Sequence, residues 1–160
     1  MHIKIRQGRP EDIPAVYALV KELAEYEKAP EAVTNSVERM TEDAFGKDPC
    51  YFLLVAESDT EILGMAIYFV KYSTWKGKGI YLDDIVVSEK HRRKGIGKLL
   101  FDEVVREAAR LDAHILHWQV LDWNTPAIEF YKKYNCSFES EWIDCKLHRE
   151  QLLQFNQPSF

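Results

Sequence analysis

Between residues 51 and 87 three apolar runs follow one another with little between them, and this crowding limits the fold more than any other feature. YFLLVAE (51–57) and ILGMAIYFV (62–70) flank the polar ESDTE, while GIYLDDIVV (79–87) follows the loop STWKGKG (73–79). Runs rich in β-branched and aromatic residues, bounded by turn formers, read as strands. The first two form an antiparallel hairpin and the third is apolar enough to be central. HIKIRQ (2–7) alternates like an edge strand. Pro10, Glu11 and Asp12 open a helix whose apolar positions Ile13, Val16, Tyr17, Leu19, Val20, Leu23 and Ala24 recur at helical spacing to about Tyr26, where Pro30 stops it. A second helix runs from about Ser36 to Phe45 and is closed by Gly46. Beyond the third strand come a helix (97–111), a buried strand HILHWQVL (114–121), a helix TPAIEFYKKY (125–134), a last strand SFESEWIDCKL (137–147) and a short terminal helix. This order predicts one α+β domain over 1–160, with a mixed sheet and helices packed on both sides. No βα repeat is long enough for a parallel doubly wound fold.

The chain of 160 residues carries a net charge of −5 with 46% hydrophobic residues, enough for a core of its own. The start MHIKIRQGRPED lacks an apolar stretch behind its basic residues, and no apolar run approaches the ~20 residues of a membrane span. Cys50, Cys136 and Cys145 are odd in number and lack CxxC spacing, so neither a disulfide framework nor a metal site is expected. These readings place the protein in the cytoplasm, away from membranes. A net acidic chain argues against nucleic acid and leaves room for a cationic small molecule.

Against that acidity, His91, Arg92, Arg93, Lys94 and Lys98 crowd the junction between the third strand and the next helix, together with Gly95 and Gly97. Glycines let backbone N–H groups approach a ligand closely. The first N–H groups of a helix have no internal partner, and the dipole adds roughly half a positive charge there. Such a terminus is a ready anion site, with phosphate its usual guest. A Walker loop is excluded because Leu99 follows Lys98, and the dinucleotide fingerprint GxGxxG is excluded because Leu100 stands at its third glycine. What remains is Arg92-Arg93-Lys94-Gly95-Ile96-Gly97, or RxxGxG, which a solvated structural turn also explains.

RxxGxG resembles the pyrophosphate-binding signature of the GNAT N-acetyltransferase superfamily, whose members use acetyl-CoA. Downstream, Asn124-Thr125-Pro126-Ala127-Ile128-Glu129-Phe130-Tyr131 resembles the NxxAxxFY element that closes the same site, although an Asn cap on an amphipathic helix gives the same pattern. KELAEYE (21–27), YSTWKGK (72–78), YLDDIVV (81–87), LHWQVLDWN (116–124) and FYKKYN (130–135) resemble the spermidine/spermine and thialysine N-acetyltransferases over most of the chain. The resemblance implies a GNAT fold with a twisted, mostly antiparallel sheet of six to seven strands, coenzyme A in its wedge, and a homodimer.

It also implies roles. Tyr131 matches the general acid that returns a proton to the leaving thiolate. Asp83 matches a Glu that holds or deprotonates the amine, whereas Asp84, by strand alternation, faces the other side and does a different job. Ile85, Val86 and Val87 offer backbone groups to the pantetheine arm. Arg92, Arg93, Lys94, Gly95, Ile96, Gly97 and Lys98 hold the pyrophosphate, with Asn124 and Ala127 near the thiol end. Tyr26, Glu27, Trp75, His117 and Trp118 fall on the acceptor side, where His117 also reads as a hydrogen-bonded core histidine. Two positions depart from the family. Asn135 stands where FYxxxG has glycine, and Asn is the next best residue for a left-handed cap. Asp83 is one methylene shorter than the Glu, which makes a thialysine-like amino acid or another small primary amine as fitting as a polyamine. The expected activity is acetyl transfer to a small cationic amine. The alternatives are a peptide or protein N-acetyltransferase and a non-catalytic acyl-CoA-binding protein.

Overall fold

The apolar runs of 51–87 become the centre of a five-stranded sheet in a computed structural model that describes residues 2–155. The strands are β1 (Lys4–Gln7), β2 (Phe52–Glu57), β3 (Ile62–Ser73), β4 (Gly77–Val87) and β5 (Leu116–His117), in spatial order β1-β2-β3-β4-β5. The first four pair antiparallel. β5 runs parallel to β4 and pairs only at Ile80↔Leu116 and Tyr81↔His117. The β3–β4 hairpin is longer than its sequence suggests. Ser73 pairs with Gly77, which shrinks the expected loop 73–79 to Thr74–Lys76, and Gly77 takes the left-handed conformation that closes it (φ 86°).

Alternation divides the sheet into two apolar faces. Leu53, Val55, Met65, Ile67 and Val86 point to one face and form a buried cluster with Ile13, Val16 and Leu19 of α1 (Ile13–Tyr26) and Met40 of α2 (Val37–Phe45). The opposite face carries Tyr68 and Gly64. α3 (Ile96–Arg110) covers it, burying Ile96, Leu100, Phe101 and Val104. A Cβ added to Gly64 would lie 3.2 Å from the Leu100 side chain. Each fully buried aliphatic side chain contributes about 1.5–3 kcal/mol, so helices on both faces follow from strands that are apolar on both faces. Local chemistry sets the ends. Ser36 caps α2 by accepting from the Arg39 N–H, and a buried Arg6–Asp12 ion pair at 2.6 Å ties β1 to the start of α1.

The chain forms two compact units, one up to Gln119 and one from Val120. All five strands lie in the first. The second holds α4 (Thr125–Lys132) and α5 (Arg149–Phe155). Asn124 caps α4 through Oδ1 and the Ala127 N–H at 3.4 Å, and Asn135 takes the left-handed conformation (φ 52°) expected of it in place of glycine.

Two expectations are corrected. The sheet has five strands among the described residues, not six to seven, because 137–147 joins no ladder: a strand exists only through its partner's hydrogen bonds, and no strand pairs with this segment. Trp142 and Ile143 within it are 86% and 89% exposed. The strand expected over 114–121 shortens to Leu116–His117, since β5 follows β4 for only two residues.

Candidate active site

The ladder between β3 and β4 contains the feature on which the site turns. Ile67 pairs with Asp84 and Tyr68 with Leu82, so Asp83 is an extra residue, a β-bulge that no residue of β3 opposes. Leu82 shares its face with Tyr68, beneath α3. Asp84 shares its face with Ile67, beneath α1. Asp83, next after Leu82, turns to the α1 face as well. Two consecutive carboxylates therefore face the same way, which corrects the expectation that alternation would separate them.

Glu27 joins them from the C-terminal cap of α1. Burial, then the charges of Asp83 and Glu27, push the Asp84 carboxyl up to about 6. Burial also raises Asp83 and Glu27 above the ordinary carboxylate range. A buried anion beside two others holds its proton more tightly, because ionising all three sets like charges against one another in a poorly screened setting. The same arrangement attracts an ammonium group and makes Asp84 a proton acceptor poised near neutrality.

The bulge also alters the backbone. Below it the Ile80 N–H points outward to Ile115 C=O (2.9 Å); above it the Ser88 N–H points inward to Leu63 C=O (3.0 Å). Alternation then turns the peptide groups of Ile85 and Val87 towards the edge that β5 leaves uncovered, and those of Val86 towards β3. Of the three residues expected to meet the pantetheine arm, two present their backbone there. Val87 C=O already accepts from Arg92 Nε at 3.2 Å.

The basic turn follows directly. A 3₁₀ turn over Glu89–His91 leads to Arg93 (φ 61°) and Gly95 (φ 80°), after which α3 begins at Ile96. A Cβ on Gly95 would meet nothing within 4 Å, and one on Gly97 only Val87 Cγ2 at 3.7 Å. Open space thus lies against the backbone at the start of a fifteen-residue helix, with its N–H groups and dipole behind it. His91 braces the turn: its buried ring donates through Nε2 to Glu61 (3.0 Å) and accepts through Nδ1 from Lys94 Nζ (3.3 Å). Lys98 pairs with Asp102 one helical turn on.

The remaining acceptor-side residues separate. His117 lies opposite Tyr81 on the α1 face, where its Nδ1 accepts from Lys71 Nζ (3.0 Å) and its ring meets Tyr81 edge-on at 5.1 Å. Trp118, one residue on, packs edge-on against Phe101 of α3 at 5.1 Å, on the face away from Asp83 and Asp84. Trp75 sits at the tip of the β3–β4 hairpin, 92% exposed. Tyr26 is partly exposed at the last residue of α1. In the second unit, Tyr131 is buried on α4, and burial followed by the nearby Cys136 pushes its phenol up to about 12. Phe130 packs edge-on against Tyr131 and Tyr134. Sequence reasoning named Asp84 but sent it to the opposite face and gave it no part in holding the amine, since nothing in the letters YLDDIVV marks a bulge.

A bulged strand bearing carboxylates leads through a basic glycine turn into a helix, an arrangement suited to a cation on one side and an anion on the other. The chain belongs to the acetyltransferase (GNAT) family, whose pattern matches residues 14–136. It is 38% identical over 138 residues to the thialysine N-epsilon-acetyltransferase of Bos taurus, covering 81% of each chain. It is 28% identical over 162 residues to the spermidine/spermine N(1)-acetyltransferase-like protein 1 of Homo sapiens, covering 95% of this chain and 23% of that one. Over 96 residues, 59% of this chain and 42% of the relative, it is 36% identical to the L-ornithine N5-acetyltransferase NATA1 of Arabidopsis thaliana. An integron cassette protein from V. cholerae shares the fold with a TM-score of 0.78 at 21% identity over 99% of both chains. An aminoglycoside acetyltransferase from a soil metagenome does so with a TM-score of 0.74 at 17% identity, over 91% of this chain and 95% of that one.

Proposed function

We propose that the protein transfers the acetyl group of acetyl-CoA to a primary amine of a small cationic acceptor, a polyamine, a diamine or a thialysine- or lysine-like amino acid. The observation that carries this reading is the convergence of Glu27, Asp83 and Asp84 on one face of the bulged strand, with Asp84 raised to about 6. The names of the thialysine, ornithine and spermidine/spermine relatives point to the same acceptor chemistry.

The residues present fit coenzyme A. Space beside Gly95 and Gly97, the N–H groups of the first turn of α3, and the cations of Arg93, Lys94 and Lys98 suit a diphosphate. The outward peptide groups of Ile85 and Val87 suit the amides of a pantetheine arm, and Asn124 and Ala127 are assigned to its thiol end. When bound, acetyl-CoA supplies the thioester carbonyl that the amine attacks. Glu27, Asp83 and Tyr26 hold the acceptor, with His117 on the same face of the sheet. An alkylammonium has a pKa near 10.4, so passing its proton to an ordinary carboxylate at 3.9 is uphill by ~9 kcal/mol. With Asp84 at about 6, that climb shrinks by about 3 kcal/mol. Tyr131, held at about 12, keeps its proton throughout the neutral range and is the assigned donor to the sulfur as negative charge gathers there.

The family match over 14–136 runs through both compact units, which supports reading the chain as a single acetyltransferase domain. A homodimer is part of the proposal: the strand-like segment 137–147 exposes Trp142 and Ile143 and has no ladder of its own, and sedimentation velocity tests it. So is a cytoplasmic location, in keeping with three free cysteines.

The deciding experiment measures coenzyme A release from acetyl-CoA with spermidine, thialysine, lysine, ornithine and a basic peptide. Turnover with one small amine, reduced about 10²-fold or more in Tyr131→Phe, is expected. Turnover with the peptide alone would overturn the acceptor assignment, and an undiminished Tyr131→Phe would overturn the role of the phenol.

A further inference from the structure

Arg92 opens the RxxGxG motif, yet its side chain turns back from the turn towards α1. Three contacts fix it. Nε donates to Val87 C=O at 3.2 Å, the guanidinium carbon stands 5.0 Å from the centre of the Tyr26 ring, and an Nη lies 3.8 Å from Glu22 Oε1. Glu22 and Tyr26 are four residues apart on α1, so both occupy one face of that helix. Glu22 reaches the same turn a second time, accepting the backbone N–H of Glu89 through Oε1. The end of α1 that carries Tyr26 and Glu27 is thereby fastened to the segment 87–92.

We propose that Arg92 is a positioning residue that couples the anion-binding turn to the acceptor side of the site, by holding the Tyr26 ring against β4. This rests on the proposed acetyl transfer and adds a division of labour within the basic cluster. Arg93, Lys94 and Lys98 serve the diphosphate, while Arg92 sets where Tyr26, and Glu27 beside it, stand relative to Asp83 and Asp84. Only arginine suits the post. A planar guanidinium offers a flat face to an aromatic ring while its in-plane Nε–H reaches a carbonyl, whereas an ammonium has neither the face nor the fork. The acceptor affinity then depends on a residue that does not touch the acceptor.

The test is a double-mutant cycle on the full chain, with Arg92→Lys, Tyr26→Leu and the double variant, after thermal melting has shown each to be folded. The Michaelis constants for acetyl-CoA and for the best amine are measured separately. Arg92→Lys keeps the charge, so the expected result is an amine KM raised roughly fivefold with a smaller change in the acetyl-CoA KM, as the loss of an exposed cation–π contact allows. In Tyr26→Leu the Arg92→Lys exchange should have no further effect on the amine KM. If the two changes multiply independently, or if Arg92→Lys moves only the acetyl-CoA KM, Arg92 is an ordinary phosphate ligand and the link is overturned. If the wild-type protein releases no coenzyme A with any amine, the reaction itself falls. The same cycle is then read on spermidine and lysine affinity by calorimetry, where additivity, or no binding by the wild type, overturns the link and non-additivity sustains it.

Discussion

Asp84 shows how one residue takes its chemistry from its surroundings. Its carboxyl titrates at about 6 when folded against an unfolded value near 3.9, so the protonated form favours the fold. That contribution is fully present below about pH 4 and is lost as pH rises through 6. At pH 7 the ionised Asp84 therefore costs the fold about 3 kcal/mol. Asp84→Asn should be more stable than the wild type by about that amount at pH 8 and nearly equal to it at pH 4, as urea denaturation at the two pH values would measure. The wild-type amine KM should rise as pH falls through about 6, and the same substitution should remove that rise. Gly95 works through its backbone. At φ 80° with no neighbour within 4 Å of a Cβ, Gly95→Ala meets no wall but carries a left-handed penalty of about 1–2 kcal/mol. It also places a methyl where the diphosphate approaches. The acetyl-CoA KM should rise several-fold while the amine KM changes little, and Gly95→Asn should recover part of the lost melting temperature.

At the scale of elements, the helices were legible because their periodicity and caps are local. Ser36, Asn124 and the Gly95 turn each act within four residues, and the expected boundaries of α2 and α3 fall within a residue of the observed ones. Strand identity was legible for the same reason between 51 and 87. What the letters did not carry is pairing. The bulge at Asp83 exists only because β3 offers one residue where β4 offers two. The segment 137–147 has strand composition and no ladder partner among the described residues, and β5 ends where it parts from β4. His117 and Trp118 were both placed on the acceptor side by the family resemblance, but a pleated strand sends neighbours to opposite faces, and Trp118 packs against Phe101. The glycine turn was legible because it is a contiguous motif whose backbone acts locally. Asp84 was sent to the wrong face because its orientation depends on a register.

Over the whole molecule, the charge pattern sets the two substrates apart. The chain carries a net charge of −5 around a locally basic turn. A cationic amine is drawn both by the distant field and by the carboxylates near the bulge, and salt weakens both attractions. An anionic coenzyme is repelled at long range and attracted nearby, so salt weakens two effects that oppose each other. Steady-state kinetics between 20 mM and 0.5 M NaCl should therefore show the amine KM rising more steeply than the acetyl-CoA KM. Equal slopes would mean that the local cluster alone governs coenzyme binding.

Because no residue of β3 opposes Asp83, the sheet does not count it. Deleting that one residue would bring Leu82 and Asp84 into ordinary succession opposite Tyr68 and Ile67, heal the ladder, and leave every later side chain of β4 on the face it already occupies. A single-codon deletion at this point removes one acid from the acceptor side of the site and leaves the rest of the ladder in register. The acceptor side is thereby open to change by deletion, a class of mutation that elsewhere in a sheet would scramble the fold.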